Sequence, residues 1–359
     1  MRRLYTILTI AVLSLTVGTS RAQTVDFGGT TMNNDLIGWY DLYELSFTSH
    51  NYGTARSMAM GNAFTALGAD MVSASLNPAG IGMYVDSDFS ISAMMQFTKS
   101  PTPNSDAFYP IGTPKYEQHY QDHSERFGIS SLGGVFTTYK STGALTNLNI
   151  GVVYNRIADF NRNTLIASIG NPGTESLANV FCTLSNIDGL QTNADGTMNF
   201  GGDPFYWGAV LAYKNGLTNK DDQGWFIDRI SPDAEIDQYS SVETRGSIGE
   251  YAITAGFNFM DIFYVGASLG IQSLNYSREV FYGEDYIYTE ETLPSGDAMP
   301  YQTVYMNYVQ RTRISGTGIN FKLGVTARPA KWLRIGLAYH TPTYYDATLR
   351  YGGEMWSST

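Results

Sequence analysis

The chain has 359 residues, of which 43% are hydrophobic, 14% aromatic and only 15% charged, and its formal charge is −11. Soluble domains carry about 25% charged residues, so this composition excludes a disordered chain and argues against an ordinary cytosolic enzyme. The negative balance disfavours nucleic acid as a partner, and the single cysteine, Cys182, excludes an intrachain disulfide.

Residues 1–22 read as a secretory signal peptide. Arg2 and Arg3 form a positive start, Thr6 to Gly18 is a short apolar run, and Ser20 and Ala22 are the small residues before a cleavage point at Gln23. Cleavage there removes Arg2, Arg3 and Arg21 and leaves the mature chain three charges more negative. No later stretch is apolar for the ~18 residues of a spanning helix, but strands can cross a membrane on an alternating pattern alone.

Residues 23–86 are rich in small residues and methionine. The stretch from Gly53 to Met83 has the Ala and Met content of a helix, interrupted by glycines and without an apolar stripe. It reads as short helices and tight turns packed closely against something.

From residue 87 the pattern changes to period two. Phe89–Phe97, Leu148–Tyr154, Tyr251–Phe259, Phe263–Ile271, Phe321–Ala327 and Leu333–Tyr339 each alternate one apolar face with one small, polar or charged face. A soluble sandwich alternates in the same way, so periodicity does not decide. Three features favour a membrane barrel. The polar faces are rich in Gly, Ser and Asn; aromatics such as Tyr154, Phe257, Phe259, Phe281, Tyr282, Trp332 and Tyr339 cluster near strand ends; and the strands 236–259, 262–282 and 303–328 exceed the ~9–11 residues that span a bilayer.

Connections alternate in length. Residues 98–126, 160–235 and 283–302 are long, while 140–145, Met260-Asp261 and Pro329-Ala330-Lys331 are short. Outer-membrane barrels have short periplasmic turns and long outer loops, so the first strand runs outward. This gives a count of seven strands by residue 351, an odd number, whereas a closed barrel of this kind needs an even one. The expectation is a chain truncated at its C-terminus, unless 160–235 hides strands such as Phe205–Tyr213.

Thr54-Ala55-Arg56, Met60-Gly61-Asn62-Ala63, Leu67-Gly68-Ala69-Asp70 and Asn77-Pro78-Ala79-Gly80 follow one another in a spacing that resembles the N-terminal signature of the FadL/TodX family of outer-membrane transport proteins, in its Bacteroidetes form. The stretch from Gly316 to Pro329 and Arg334–Pro342 resembles the same family. The resemblance covers roughly 53–86 and 236–351. It implies a transmembrane antiparallel barrel of 14 strands, about half of them present here, plugged by an N-terminal helical hatch. It also implies passive uptake of hydrophobic molecules such as long-chain fatty acids or aromatic hydrocarbons.

The expected organisation is therefore all-β: a signal peptide (1–22), a hatch (23–86) and a barrel (87–359), in the outer membrane of a Gram-negative cell. In the hatch, Ala55, Ala59, Gly61, Ala63, Ala66 and Gly68 let the backbone fit inside a barrel. Met58, Met60, Phe64 and Met71 either line a path for a hydrophobic ligand or pack the plug. Arg56, Asn77, Pro78 and Ala79 form the hatch motif. Asn77-Pro78-Ala79 reads locally as a turn, with gating or positioning as the alternative. Arg56 either pairs with Asp70 or a lumen carboxylate or stays solvated. Lys322, Arg334 and His340 alternate onto the polar, lumen face, where His340 either makes a lumen hydrogen bond or meets an acidic head group.

Other signals point to no chemistry. Gly266-Ala267-Ser268-Leu269-Gly270 matches a nucleophile elbow, but alternation runs straight through it. His119 and His123 with nearby acids read as a charged loop, and Asn193-Ala194-Asp195-Gly196 lacks the glutamate of a calcium loop. No catalytic residue, metal or cofactor is expected. The expected partners are a hydrophobic small molecule and outer-membrane lipid or lipopolysaccharide, for a monomer. The competing reading is a structural or secretion-associated barrel of the same family that binds protein partners.

Overall fold

The structure is a computed structural model that describes residue 45 and residues 52–99, 123–188, 207–230, 234–288 and 303–358. The signal-peptide segment, His119 and the Asn193–Gly196 stretch lie outside the described residues. Most of the described chain is antiparallel β-sheet. The strands are β1 (Asp88–Lys99), β2 (His123–Lys140), β3 (Leu145–Asp159), β4 (Arg162–Pro172), β5 (Thr218–Lys220), β6 (Phe226–Asp228), β7 (Glu235–Phe259), β8 (Phe263–Ile287), β9 (Tyr305–Ala330), β10 (Leu333–His340) and β11 (Tyr344–Ser357). Among the described residues, no helix is long and apolar enough to cross a membrane.

One sheet runs β1-β2-β3-β7-β8-β9-β10, with β4 also paired to β7 and β11 also paired to β9. β3 and β4 lie end to end along β7, β3 beside Ser247–Phe259 and β4 beside Glu235–Thr244. β10 and β11 share β9 in the same way, broken at Thr341-Pro342-Thr343, where proline has no N–H to give the ladder. The nine strands thus make seven antiparallel staves in chain order, the number that the alternating long and short connections predict. No pairing joins β1 to β10 or β11 among the described residues.

The turn between β7 and β8 shows how register is set. Met260 and Asp261 both have positive φ (52° and 57°), and the Ile262 N–H donates to the Phe259 carbonyl. That geometry matches the right-handed twist of a two-residue hairpin but strains side-chain-bearing residues. Asn258 compensates by accepting from the Asp261 N–H and donating to its carboxylate.

The two faces of the sheet are partitioned in reverse of a water-soluble sandwich. Phe89, Ile91, Phe127, Phe136, Val152, Ile253, Phe263, Ile319, Leu337 and many others on one face are exposed, Phe127 by 73% and Leu337 by 69%. On the opposite face Asn149, Asn155, Glu250, Thr254, Ser268, Asn320, Lys322 and Thr326 are buried. The exposed apolar band far exceeds the few hundred Å² that soluble monomers leave open. It runs from Tyr251 to Phe259, Ile271 to Phe263 and Ile319 to Ala327 in matching register, about nine residues per strand, the length of one membrane crossing. Tyr154, Tyr251 and Tyr344 stand along its far edge, and Trp332, 84% exposed, stands in the turn at its near edge.

The polar face is covered by the N-terminal segment. It holds helices α1 (Ala55–Ala59) and α2 (Ser73–Leu76) and a 3₁₀ turn (Pro78–Met83). A row of glycines across three strands makes this fit possible. Gly256 faces Gly266, and Gly266 faces Gly324. A Cβ on Gly266 would fall inside the Pro78 carbonyl, one on Gly256 inside the Gly82 backbone, and one on Gly324 inside the Asn77 amide.

The long 160–235 connection is corrected by the structure. Its first part is β4, and it continues into helix α3 (Leu177–Asp188), helix α4 (Trp207–Lys214) and the β5–β6 hairpin. The hidden strand that Phe205–Tyr213 offered as the alternative to truncation is instead helical from Trp207 on. Ala178, Phe181, Leu184, Ala209, Ala212 and Leu217 pack onto Ile236, Tyr286, Met306, Tyr308 and Met355. The strand ends beyond the apolar band thus form the floor of a small apolar core. Phe281 and Tyr282, read as membrane-edge aromatics, belong to this distal part, Phe281 packing on Trp356.

Gly266→Val is expected to dislodge the Pro78–Met83 turn while the strands remain paired. Hydrogen exchange should then rise over residues 54–84 and not over β8. Gly352→Ala, which would meet nothing within 4 Å, should change neither.

Candidate functional site

The short helices and turns of the N-terminal segment leave backbone carbonyls, such as Tyr84 O, without a partner inside the segment and others, such as Met71 O and Ile81 O, with a single turn bond, and buried carbonyls need donors. The strands supply them. On β3, Asn149 Nδ2 donates to Ile81 O and Tyr84 O (both 2.8 Å), Asn147 Nδ2 to Tyr84 O (3.1 Å), and Asn155 Nδ2 to Met71 O (3.2 Å) and Ser75 Oγ (2.9 Å). These three asparagines were not among the predicted site residues. Their shared parity on the polar face of one strand was the available signal.

Two predicted lumen residues do the same from β10. Arg334 donates to Leu67 O (2.7 Å), and His340 Nε2 lies 2.9 Å from Leu76 O. A carbonyl only accepts, so that nitrogen carries a proton. The third, Lys322, faces His340 in register but turns to Glu250, with which it forms a buried ion pair. Gln272 Nε2 (2.8 Å) and Asn320 Nδ2 (3.2 Å) also donate to Glu250, and Tyr345 bonds Gln272 in turn. The network ties β7, β8, β9 and β11 together beside the N-terminal segment.

Asn77 is fully buried and joins the segment to the sheet. Its Oδ1 accepts from Ala79 N (3.1 Å), starting the 3₁₀ turn that Pro78 opens, and its Nδ2 donates to Thr65 O (2.5 Å) and Thr326 Oγ1 (3.2 Å). Arg56 does not reach Asp70. It donates to Ala69 O (3.1 Å) and lies over the Phe64 ring at 5.3 Å. Asp70 is held instead by Thr54 Oγ1 (2.8 and 2.9 Å) and Val72 N (3.0 Å), and Thr54 also caps α1. The first and third blocks of the sequence signature therefore meet as a buried clasp.

The four candidate ligand-lining residues do not share a cavity wall. Phe64 and Met71 are buried in packing contacts, Met71 against Ala74, Ile81, Val135, Val153 and Ala252, while Met58 and Met60 are exposed. Ser268 sits within β8, 1% exposed, with strand on both sides and no helix directly after it, so no nucleophile elbow forms. Among the described residues, no cluster of three metal-ligating side chains occurs.

A second buried carboxylate lies in the distal core. Glu284 accepts from Ser176 Oγ, Tyr282 Oη and Tyr286 Oη (each 2.6 Å), from Leu177 N (2.8 Å) and from Gln238 Nε2 (3.2 Å). It caps the N-terminus of α3, where the helix dipole favours negative charge. Burial, reinforced by the adjacent Glu284 charge, pushes both tyrosine pKa values upward, so both phenols stay donors. Burial likewise raises the Cys182 thiol to about 12, which makes it an inert core residue of α3.

No family model and no curated protein matches this chain. Two mutants of the Rh. blastica porin are similar at 8% identity over 76% of this chain and 99% of theirs, with a TM-score of 0.11. A score that low says nothing about how these strands are arranged.

Lys322→Met should leave the Glu250 charge buried without its partner and cost about 3–5 kcal/mol. The double variant Glu250→Gln with Lys322→Met should recover most of that loss. Urea unfolding in detergent micelles, followed by intrinsic fluorescence, checks both.

Proposed function

We propose that this sheet is the wall of an outer-membrane β-barrel and that the segment 23–86, described continuously from residue 52 on, is its hatch. The observation that carries this reading is the reversed partition: an exposed apolar band about nine residues tall on one face and buried Asn, Ser, Thr, Glu and Lys on the other. In lipid the band needs no protein cover, and the spanning residues of the five inner staves find their backbone partners in the strands on either side, while β1 and β10 each keep one edge unpaired among the described residues. Tyrosines at one edge and Trp332 at the other fit the two interfaces of a bilayer. The short turns then face the periplasm and the α3–α4 cap faces outward.

The finer function is passive uptake of hydrophobic compounds such as long-chain fatty acids or aromatic hydrocarbons. Two things support it. The resemblance of the 54–80 blocks to the FadL/TodX signature is one. The other is a hatch fixed to the wall by individual hydrogen bonds rather than by a continuous ladder, so that a few breaking together would open a path. Met58 and Met60, exposed on the hatch, offer soft apolar surface to a passing solute.

A second reading, an outer-membrane barrel that binds protein partners, draws on the cap. There Ile187, Trp225 and Ile227 are 74%, 56% and 47% exposed, around the Asn186–Phe226 hydrogen bonds that join α3 to the hairpin. Stable recovery of a protein partner with the cap, without any hydrophobic flux, would favour it.

Asn77→Ala removes the bonds to Thr65, Thr326 and Ala79 and orphans the buried Thr326 hydroxyl and Ala79 N–H, costing about 2–4 kcal/mol of hatch docking. Uptake of a fluorescent fatty acid by cells expressing the variant should change several-fold from the wild-type rate, with assembly in the membrane unchanged. An unaltered rate would contradict a hatch that controls passage.

A further inference from the structure

The apolar face of the sheet changes character abruptly above the Tyr251–Ile271–Ile319 row. The next outward-facing positions are Gly249, Ser273, Thr317 and Asp346, then Ser247, Asn275, Ser315 and Thr348, then Arg245, Ser277, Arg313 and Arg350. Arg245, Arg313 and Arg350 are all exposed. Arg313 and Arg350 stand directly opposite each other across β9 and β11. Like charges in that position repel. Neither has a carboxylate partner among the described residues, although carboxylates lie close by. One row further out, Arg311 takes Glu279 (2.7 Å) and Glu354 (2.8 Å), and Arg245 takes Glu243. Arg245, Arg311 and Arg313 border a shallow cleft of about 260 Å³. Asp346 is the acid on the membrane side of the row.

The height of this row narrows what binds there. It stands six residues beyond the edge of the band, about 20 Å along a strand and roughly 14 Å along the membrane normal at a ~45° tilt. A phospholipid headgroup layer is only about 5–8 Å deep on each side. The arginines are therefore above the phosphates of ordinary lipids. They suit an amphiphile whose acyl chains lie on the band and whose negative groups are carried upward on sugars.

We propose that the Arg313–Arg350 pair, flanked by Arg245 and Arg311, binds the phosphate-bearing headgroup of an outer-leaflet glycolipid. The proposal rests on the membrane reading of the apolar band. Guanidinium groups fork phosphate oxygens in pairs, and an anion seated between the two arginines turns their repulsion into a shared contact. The two rows between band and arginines, which carry Ser, Thr and Asn and the single acid Asp346, give the sugars hydrogen-bonding partners.

The test uses the full chain in nanodiscs of phosphatidylcholine, to which a bisphosphorylated glucosamine-based glycolipid, its dephosphorylated form or inorganic phosphate is added. Bound species are read by native mass spectrometry. Wild type should retain the phosphorylated glycolipid, and Arg313→Gln with Arg350→Gln should lower its retention about tenfold or more, the loss expected for two charge-assisted hydrogen bonds. Without glycolipid, the same variant should unfold no more easily than wild type, because a repulsion has been removed. Equal retention of the dephosphorylated glycolipid, displacement by inorganic phosphate at equal concentration, or unchanged retention by the double variant would each overturn the proposal. Failure of the wild-type chain to enter any nanodisc would overturn the membrane reading as well, whereas insertion with unaltered retention would sink the headgroup site alone.

Discussion

A strand sends alternate side chains to opposite faces, and this chain puts its apolar set on the face that the described residues leave uncovered. Everything else follows from that choice. The remaining face is polar, so whatever covers it must satisfy amides, hydroxyls and a buried ion pair rather than bury hydrocarbon. The N-terminal segment meets this demand with its own backbone. Its carbonyls take the protons of Asn147, Asn149, Asn155, Arg334 and His340, and Asn77 returns a proton to Thr326. Gly256, Gly266 and Gly324 bring the two backbones close enough for those bonds to form.

The same strands serve two environments along their length. Near the short turns, β7, β8 and β9 carry the apolar band on one face and the polar network around Glu250 on the other. Beyond the tyrosine row, the pattern reverses. The outward face becomes Ser, Thr, Arg and Glu, while Ile236, Tyr286, Met306 and Tyr308 turn inward to form a core with α3 and α4. Glu284 marks the change: a fully buried carboxylate there is tolerated because five donors and a helix N-terminus surround it. On the proposed reading, a strand of 25 residues is a membrane crossing continued into a water-facing domain.

Sequence alone made the strands legible because alternation is strong where one face must be apolar: six of the seven staves fall where the period-two segments do, and β2 falls between the long 98–126 and the short 140–145 connections. The turn at Met260-Asp261 was equally plain, since a short break between long alternating runs leaves little choice, while the turn read at Pro329–Lys331 lies at Lys331-Trp332, with Pro329 and Ala330 still in β9. The cap was not legible. Its helices are short, and α4 is apolar nearly all round, with Gly208, Ala209, Val210 and Ala212 buried, so no stripe betrays it. Site residues divided in the same way. Asn77, Arg334 and His340 stood out by type or motif, and the structure gives each a bond to the segment or to the wall. Which partner Arg56 would choose was beyond the sequence, because Thr54 takes Asp70 through a fold-dependent contact 16 residues away. The glycine row was present in plain sight as scattered residues, and only the register places Gly256, Gly266 and Gly324 side by side.

The central claim is that the apolar face lies in lipid. Site-directed spin labels along β8, one at a time from Phe263 to Glu279 in a Cys182→Ser background, test it directly in reconstituted bilayers. The account predicts that labels at positions 263, 265, 267, 269 and 271 collide with oxygen but not with a water-soluble nickel complex, that the even positions between them are shielded from both, and that positions 273 to 279 on the same face become accessible to nickel. Nickel accessibility at 265 and 269 equal to that at 275, or shielding of the odd positions from both reagents, would contradict it.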